Sequence, residues 1–249
     1  MKSRHLKSPL ALGAIAFAAM MLAFAGPAAA ATAFQNGNFT DGSYTASYAG
    51  SGFETLSPEL GNATAMTGWT VTGGSVDWIQ GYWPAPPGGG YSIDMNGTAT
   101  STQTAVGILT QAFATDVNAT YVVGFELAGN PNCGPSRKTL SVSAADTSPQ
   151  FYTVGSTSNS EMGWTPQTYS FVAASHSTTL TFAADPNNTS NCGAALGDVT
   201  VAETAAATGA QQCKNGGWSS MDGPDGIAFK NQGDCVSYYA TSGATPIGS

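Results

Sequence analysis

The run Tyr121-Val122-Val123-Gly124-Phe125-Glu126-Leu127 narrows what this chain can become more than any other feature. Tyr121, Val123, Phe125 and Leu127 fall on one side of an extended backbone, with Gly124 and Glu126 on the other. Period two marks a strand with one face in a core. The alternation returns at Leu140, Val142 and Ala144, at Tyr169, Phe171 and Ala173, and at Leu180, Phe182 and Ala184. Shorter runs at Trp69–Val71, Val76–Ile79, Tyr91–Met95, Val106–Phe113, Phe151–Val154 and Leu196–Val201 bring the expected total to about ten strands. Gly, Pro, Asn and Asp separate them, and no run holds a helical period. Short strands at turn-like spacing predict an all-β sandwich or barrel. Phe34 to Val201 is long enough to bury one core. Trp69 and Trp78 lie in strand-like runs and belong in it.

The two ends read differently. Lys2, Arg4 and Lys7 precede an apolar run from Leu10 to Ala25, then Gly26-Pro27-Ala28-Ala29-Ala30-Ala31. A basic start, an apolar middle and small residues at the cut site describe a secretory signal peptide, residues 1–31. No second apolar stretch is long enough to span a membrane. Residues 203–212 are small and polar, the composition of a linker. Residues 213–249 form a short segment that cannot bury much of a core and calls for a covalent staple. The four cysteines are Cys133, Cys192, Cys213 and Cys235. An even count in an exported chain predicts disulfides. Three pairings are possible. Cys133–Cys192 with Cys213–Cys235 is the most economical, because each pair stays within one compositional block.

Charge excludes whole classes of function. Only 9% of residues are charged, against roughly 25% in typical proteins. Without the leader, Arg137, Lys138, Lys214 and Lys230 face 15 acidic residues, a net charge of about −11. Such a chain has no basic face to track nucleic acid. The histidines are His5, in the leader, and His176, in the turn Ser175-His176-Ser177. One turn histidine provides neither a Ser-His-acid triad nor a multi-histidine metal site. Gly88-Gly89-Gly90 leads into a strand, not a helix, and so is not a phosphate loop.

Two residue classes remain. Asp77, Asp94 and Glu126 sit in strand-like runs, and glycoside hydrolysis needs two carboxylates roughly 5–10 Å apart. The sequence does not place them on one face, and solvated carboxylates on a sandwich are the simpler reading. Tyr82 and Trp83 stand in the loop Gln80-Gly81-Tyr82-Trp83-Pro84-Ala85-Pro86-Pro87, and Trp164 follows Met162-Gly163. Such rings either plug the end of a sandwich or stack on the C–H face of a sugar while Asp and Asn bind its hydroxyls.

Several short pieces, in order, carry a family resemblance. They are Asn36-Gly37-Asn38-Phe39, Gly68-Trp69-Thr70-Val71, Gly74-Ser75-Val76-Asp77 and Tyr91-Ser92-Ile93-Asp94-Met95-Asn96-Gly97. Ile108-Leu109-Thr110-Gln111, Phe125-Glu126-Leu127-Ala128-Gly129-Asn130-Pro131, Lys138-Thr139-Leu140, Met162-Gly163-Trp164 and Ala195-Leu196-Gly197-Asp198-Val199 follow. Together they resemble the bacterial choice-of-anchor C family, related to the plant cell-wall proteins of domain of unknown function 642. The resemblance covers Phe34 to Val201. It implies a galactose-binding-like jelly roll, exported and associated with cell-wall polymer, with no known catalytic activity.

Two departures concern a structural calcium. Related folds carry Glu after the opening Phe, where this chain has Thr40 and then Asp41. Their closing motif reads Leu-Asp-Asn-Val, where this chain has Leu196-Gly197-Asp198-Val199. Asp41 and Asp198 are the candidate substitutes, one position along, and a shift of one residue in a strand reverses side-chain direction. The C-terminal pattern, Cys213-Lys214-Asn215-Gly216-Gly217-Trp218 and then Phe229-Lys230-Asn231-Gln232-Gly233-Asp234-Cys235, resembles an ending seen on secreted actinobacterial proteins.

The favoured expectation is a secreted, monomeric, non-catalytic jelly-roll β-sandwich at residues 32–202 that binds a polysaccharide or cell-wall glycan. The expected binding residues are Asp77, Tyr82, Trp83, Asp94, Asn96, Asn130 and Trp164. No cofactor is expected beyond that possible structural calcium. The alternatives are a glycan hydrolase using Asp77, Asp94 or Glu126, and an adhesive surface protein that binds another protein.

Overall fold

A computed structural model describes residues 32–44, 51–98, 105–204, 210, 213–214, 217–221 and 228–242. The expected signal peptide, residues 205–209 and 211–212 of the expected linker, and the end of the tail at 243–249 lie outside the described residues.

Among the described residues eleven strands run in chain order: β1 Phe53–Leu56, β2 Thr70–Gly73, β3 Val76–Ile79, β4 Ser92–Asp94, β5 Ile108–Ala114, β6 Thr120–Gly129, β7 Arg137–Ser143, β8 Gln150–Gly155, β9 Thr165–Val172, β10 Ser177–Ala184 and β11 Ala194–Glu203. One sheet has the order β1-β3-β4-β11-β6-β9, the other β2-β5-β10-β7-β8. The pairings are antiparallel. From β4 to β11 the chain changes sheet at every step except the β7–β8 hairpin. This is a jelly-roll β-sandwich, the expected class.

The alternation sorts the side chains as the sequence implies. Val123, Phe125 and Leu127 of β6 turn inward with Leu196 and Ile93, and meet Leu109, Leu140, Leu180 and Phe182 of the other sheet. Trp69 and Trp78 are core residues, each 1% exposed. Their indole N–H groups donate to the carbonyls of Asn36 (3.0 Å) and Phe39 (2.9 Å). A buried indole needs such a partner.

The strand absent from the sequence reading is β1. It has four residues, and Glu54 occupies one of its buried positions. A carboxylate at a core position hides the alternation that identifies a strand.

Both disulfides follow the economical pairing, Cys133–Cys192 and Cys213–Cys235. The second holds a small apolar cluster of Cys213, Phe229, Cys235 and Tyr239. That region also forms a helix the sequence reading did not include, α1 over Gln232–Ser242. Its start was legible: Asn231 Oδ1 accepts the Asp234 N–H at 3.0 Å, and Asp234 Oδ2 accepts the Lys230 N–H at 3.3 Å. An Asn followed three residues later by an acid marks a helix N-terminus.

Candidate functional site

Asp77 and Asp94 are direct cross-strand neighbours, because β3 and β4 pair with Asp77 opposite Asp94. Trp78 and Ile93 turn into the core, so both carboxylates project from the outer face of the six-stranded sheet. The row continues through Thr55 on one side and through Ala195 and Ala128 on the other. Glu126 lies on the same face but two strands and one pleat row away, about 12 Å by ideal sheet spacing. The structure therefore joins two of the three candidate carboxylates and sets the third apart.

The two aspartates are buried, Asp77 at 5% and Asp94 at 1% exposure. Asp94 Oδ1 accepts the N–H groups of Asn96 (3.0 Å) and Gly193 (2.8 Å). Its Oδ2 accepts the Asn130 side-chain amide at 2.6 Å. Asp77 Oδ1 accepts the Thr55 hydroxyl (2.6 Å) and the Thr98 N–H (3.0 Å), and Oδ2 accepts the Thr98 hydroxyl (3.1 Å). Burial and then the Asp77 charge push Asp94 up to about 7, against the pull of these donors. Burial also raises Asp77. Two carboxylates side by side in a poorly solvated site resist double ionisation.

The wall beside Asp94 is the Cys133–Cys192 region. A Cβ on Gly193 would come within 2.7 Å of Asp94 Oδ1, so only glycine brings this backbone against the carboxylate. Lys138 is fully buried, and its ammonium donates to the carbonyls of Cys133 (2.8 Å) and Cys192 (2.6 Å). Burial lowers its pKa, and the Asp94 charge opposes that shift. The sequence contained the signal: Lys138 shares the inward parity of Leu140 and Val142.

Aromatic rings cover the face. Trp83 is 5% exposed and donates its indole N–H to Ser92 Oγ at 2.9 Å. It packs with Ile79, Ala128, Met162 and Ala195 in a small second cluster flanked by Phe53 and Trp164. Tyr82 is 40% exposed, stands edge-to-face with Phe53 at 5.4 Å, and accepts the Asn132 amide at 3.1 Å.

Asp77, Tyr82, Trp83, Asp94 and Asn130 line a single pocket of about 180 Å³. The other two expected binding residues stand outside it. Asn96 is buried, and its amide donates to the carbonyls of Asn188 (2.6 Å) and Ser190 (3.1 Å), so it braces the pocket wall. Trp164 lies over Gly197, beside Pro86. The buried atoms Trp164 Nε1 and Glu126 Oε2 have no hydrogen-bond partner among the described residues. Phe53, Thr98, Asn132 and Asn191 also line the pocket and were absent from the sequence reading. They lie on a missed strand and on loops, where no periodicity points to a site.

Asp41 and Asp198 sit in different surroundings. A Cβ on Gly197 would meet Pro86 at 2.7 Å, which explains why this position does not carry the Asp of related folds. Asp198 has φ 47° beside a break in the β11–β6 register, and its Oδ2 accepts the Gly88 N–H at 2.5 Å. Asp41 is exposed and exchanges backbone bonds with the Asn36 side chain. Among the described residues no three His, Cys, Asp or Glu side chains gather as a metal would need.

A larger recess of about 540 Å³ lies elsewhere, lined by Ser, Thr and Ala residues with Asp146. It has no aromatic wall. His176 is exposed in its turn, as expected.

The family described as "Protein of unknown function (DUF642)" matches residues 32–202. The chain belongs to the DUF642 family. This DUF642 chain is 28% identical over 171 residues to halomucin of Haloquadratum walsbyi (strain DSM 16790 / HBSQ001), covering 68% of this chain and 2% of the relative. It thus spans a very small part of that relative's length. Solved structures similar to it include TmCBM61 in complex with β-1,4-galactotriose, at 13% identity and TM-score 0.40, covering 70% of this chain and 99% of that one. A family 35 carbohydrate binding module from Clostridium thermocellum is similar at 8% identity and TM-score 0.39, covering 61% of this chain and 98% of the module.

Proposed function

We propose that this chain is an exported, non-catalytic carbohydrate-binding protein of the choice-of-anchor C group, and that its site is the pocket on the outer face of the six-stranded sheet. One observation carries the reading: rings and hydrogen-bonding groups converge on a single concavity. Tyr82, Phe53 and Trp83 supply apolar walls. Asp77, Asp94, Asn130 and Asn132 supply polar atoms. Sugar sites need this combination, an apolar surface for the ring and a few fixed polar groups for its hydroxyls. Tyr82 is the exposed ring and takes the stacking role. Trp83, held on Ser92, forms the floor.

Affinity electrophoresis and glycan-array binding on residues 32–249 test this, with and without calcium. Retention on at least one glycan is expected. Tyr82→Ala should weaken it at least tenfold with the unfolding midpoint unchanged. Absence of binding to every glycan overturns the reading and favours a protein partner.

A hydrolase is the second reading, favoured by the Asp77–Asp94 pair and the raised Asp94. A carboxyl group protonated near neutrality is what a general acid requires. Sugar release by the wild type, abolished in Asp94→Asn, would establish it.

A further inference from the structure

We infer that the pocket selects an amino sugar, a unit carrying a free ammonium group, over its neutral or N-acetylated counterpart; this rests on the pocket being the glycan site. Three observations lead there. The first is charge. Asp77 and Asp94 face each other across β3 and β4, and both line the cavity. Lys138 is the cation beside them, and it is engaged with the carbonyls of Cys133 and Cys192. Among the described residues that line it, the pocket is thus acidic with no cation.

The second is what the acceptors have left. Asp94 Oδ2 and Asp77 Oδ2 each accept one bond from the protein. A carboxylate oxygen has room for about two. Each aspartate, when ionised, keeps one vacant lone pair, and both belong to neighbouring side chains. An ammonium brings three donors and a full positive charge to such a pair. A hydroxyl brings one donor and no charge. The aromatic lining adds to the preference, because ring faces attract cations. An N-acetyl group removes the charge and adds bulk. A uronate would be repelled.

The third is size. At about 180 Å³ the cavity is smaller than the roughly 300–1,000 Å³ of sites for drug-sized ligands. It accommodates one ring, so a single sugar unit is recognised.

Isothermal titration at pH 7 with a β-1,4-linked glucosamine tetramer, its fully N-acetylated counterpart, and a neutral β-1,4-linked glucose tetramer tests the inference. The amine form should bind at least tenfold more tightly than either. Asp77→Asn should reduce that advantage to threefold or less. The ligand comparison on the wild type needs no variant and stands if Asp77→Asn fails to fold. Equal affinity for the amine and N-acetyl forms overturns the inference and leaves the glycan site intact. No binding of any of the three, with none on the glycan array, removes both.

Discussion

Mild acid should stabilise this protein, against the usual trend. Asp94 stands at about 7 in the folded chain and near the ordinary aspartate value, about 3.9, when unfolded. Between those values the folded state binds a proton that the unfolded state has released. Stability therefore falls as pH rises through that interval and levels off above it. The stabilisation is fully present below the unfolded pKa and lost as pH passes the folded one. Three pH units at 1.36 kcal/mol each set an upper end of about 4 kcal/mol. Asp77, also raised, acts in the same direction. Urea unfolding followed by tryptophan fluorescence, at half-unit steps from pH 4.5 to 7.5, measures the effect. The free energy of unfolding should drop across the range, with its steepest loss short of pH 7. Asp94→Asn should flatten most of that slope. The variant keeps acceptors for Asn96 and Gly193 but turns an amide toward the Asn130 amide, so it loses about 1–3 kcal/mol at pH 4.5. A wild-type curve that is flat or rising over this window would refute the reasoning, and so would an unchanged slope in Asp94→Asn.

Three further outcomes follow from named contacts. Lys138→Met should cost about 2–3 kcal/mol in urea unfolding, because the Cys133 carbonyl loses a charge-assisted donor while Cys192 keeps that of Asn188. Replacing Cys133 and Cys192 together by Ala should cost about 4 kcal/mol in the chain-entropy account, for a separation of 59 residues, and should weaken glycan binding by loosening the Gly193 wall. Asn231→Ala should remove the cap of α1 and cost about 1 kcal/mol of helix stability, read as faster amide exchange in its first turn.

Much of the fold was readable because strand periodicity is local. β6, β7, β9 and β10 announce themselves by alternation, and the core tryptophans Trp69 and Trp78 stand in such runs. The pairing of cysteines was readable for a related reason, since each bridge joins residues of one compositional block. β1 and α1 were not read, the first because Glu54 breaks the pattern, the second because a short helix with little apolar face is marked only by its cap.

The site divides along the same line. Residue chemistry by itself selected Asp77, Tyr82, Trp83, Asp94 and Asn130, and the tertiary structure gathers these five around one pocket. Their union depends on the β3–β4 register, on Pro86 lying over Gly197, and on the Cys133–Cys192 wall, contacts between residues up to about a hundred positions apart. Strand alternation, charge and cysteine count in the sequence determined an all-β, acidic, disulfide-bearing chain with aromatic loops. Only the packed sandwich decided that two aspartates would share a face, that Trp83 would be a floor and Tyr82 a rim, and that Asn96 would brace a wall. A side chain's type is written at its own position, whereas its neighbours, burial and protonation are set by strands that meet across the whole chain.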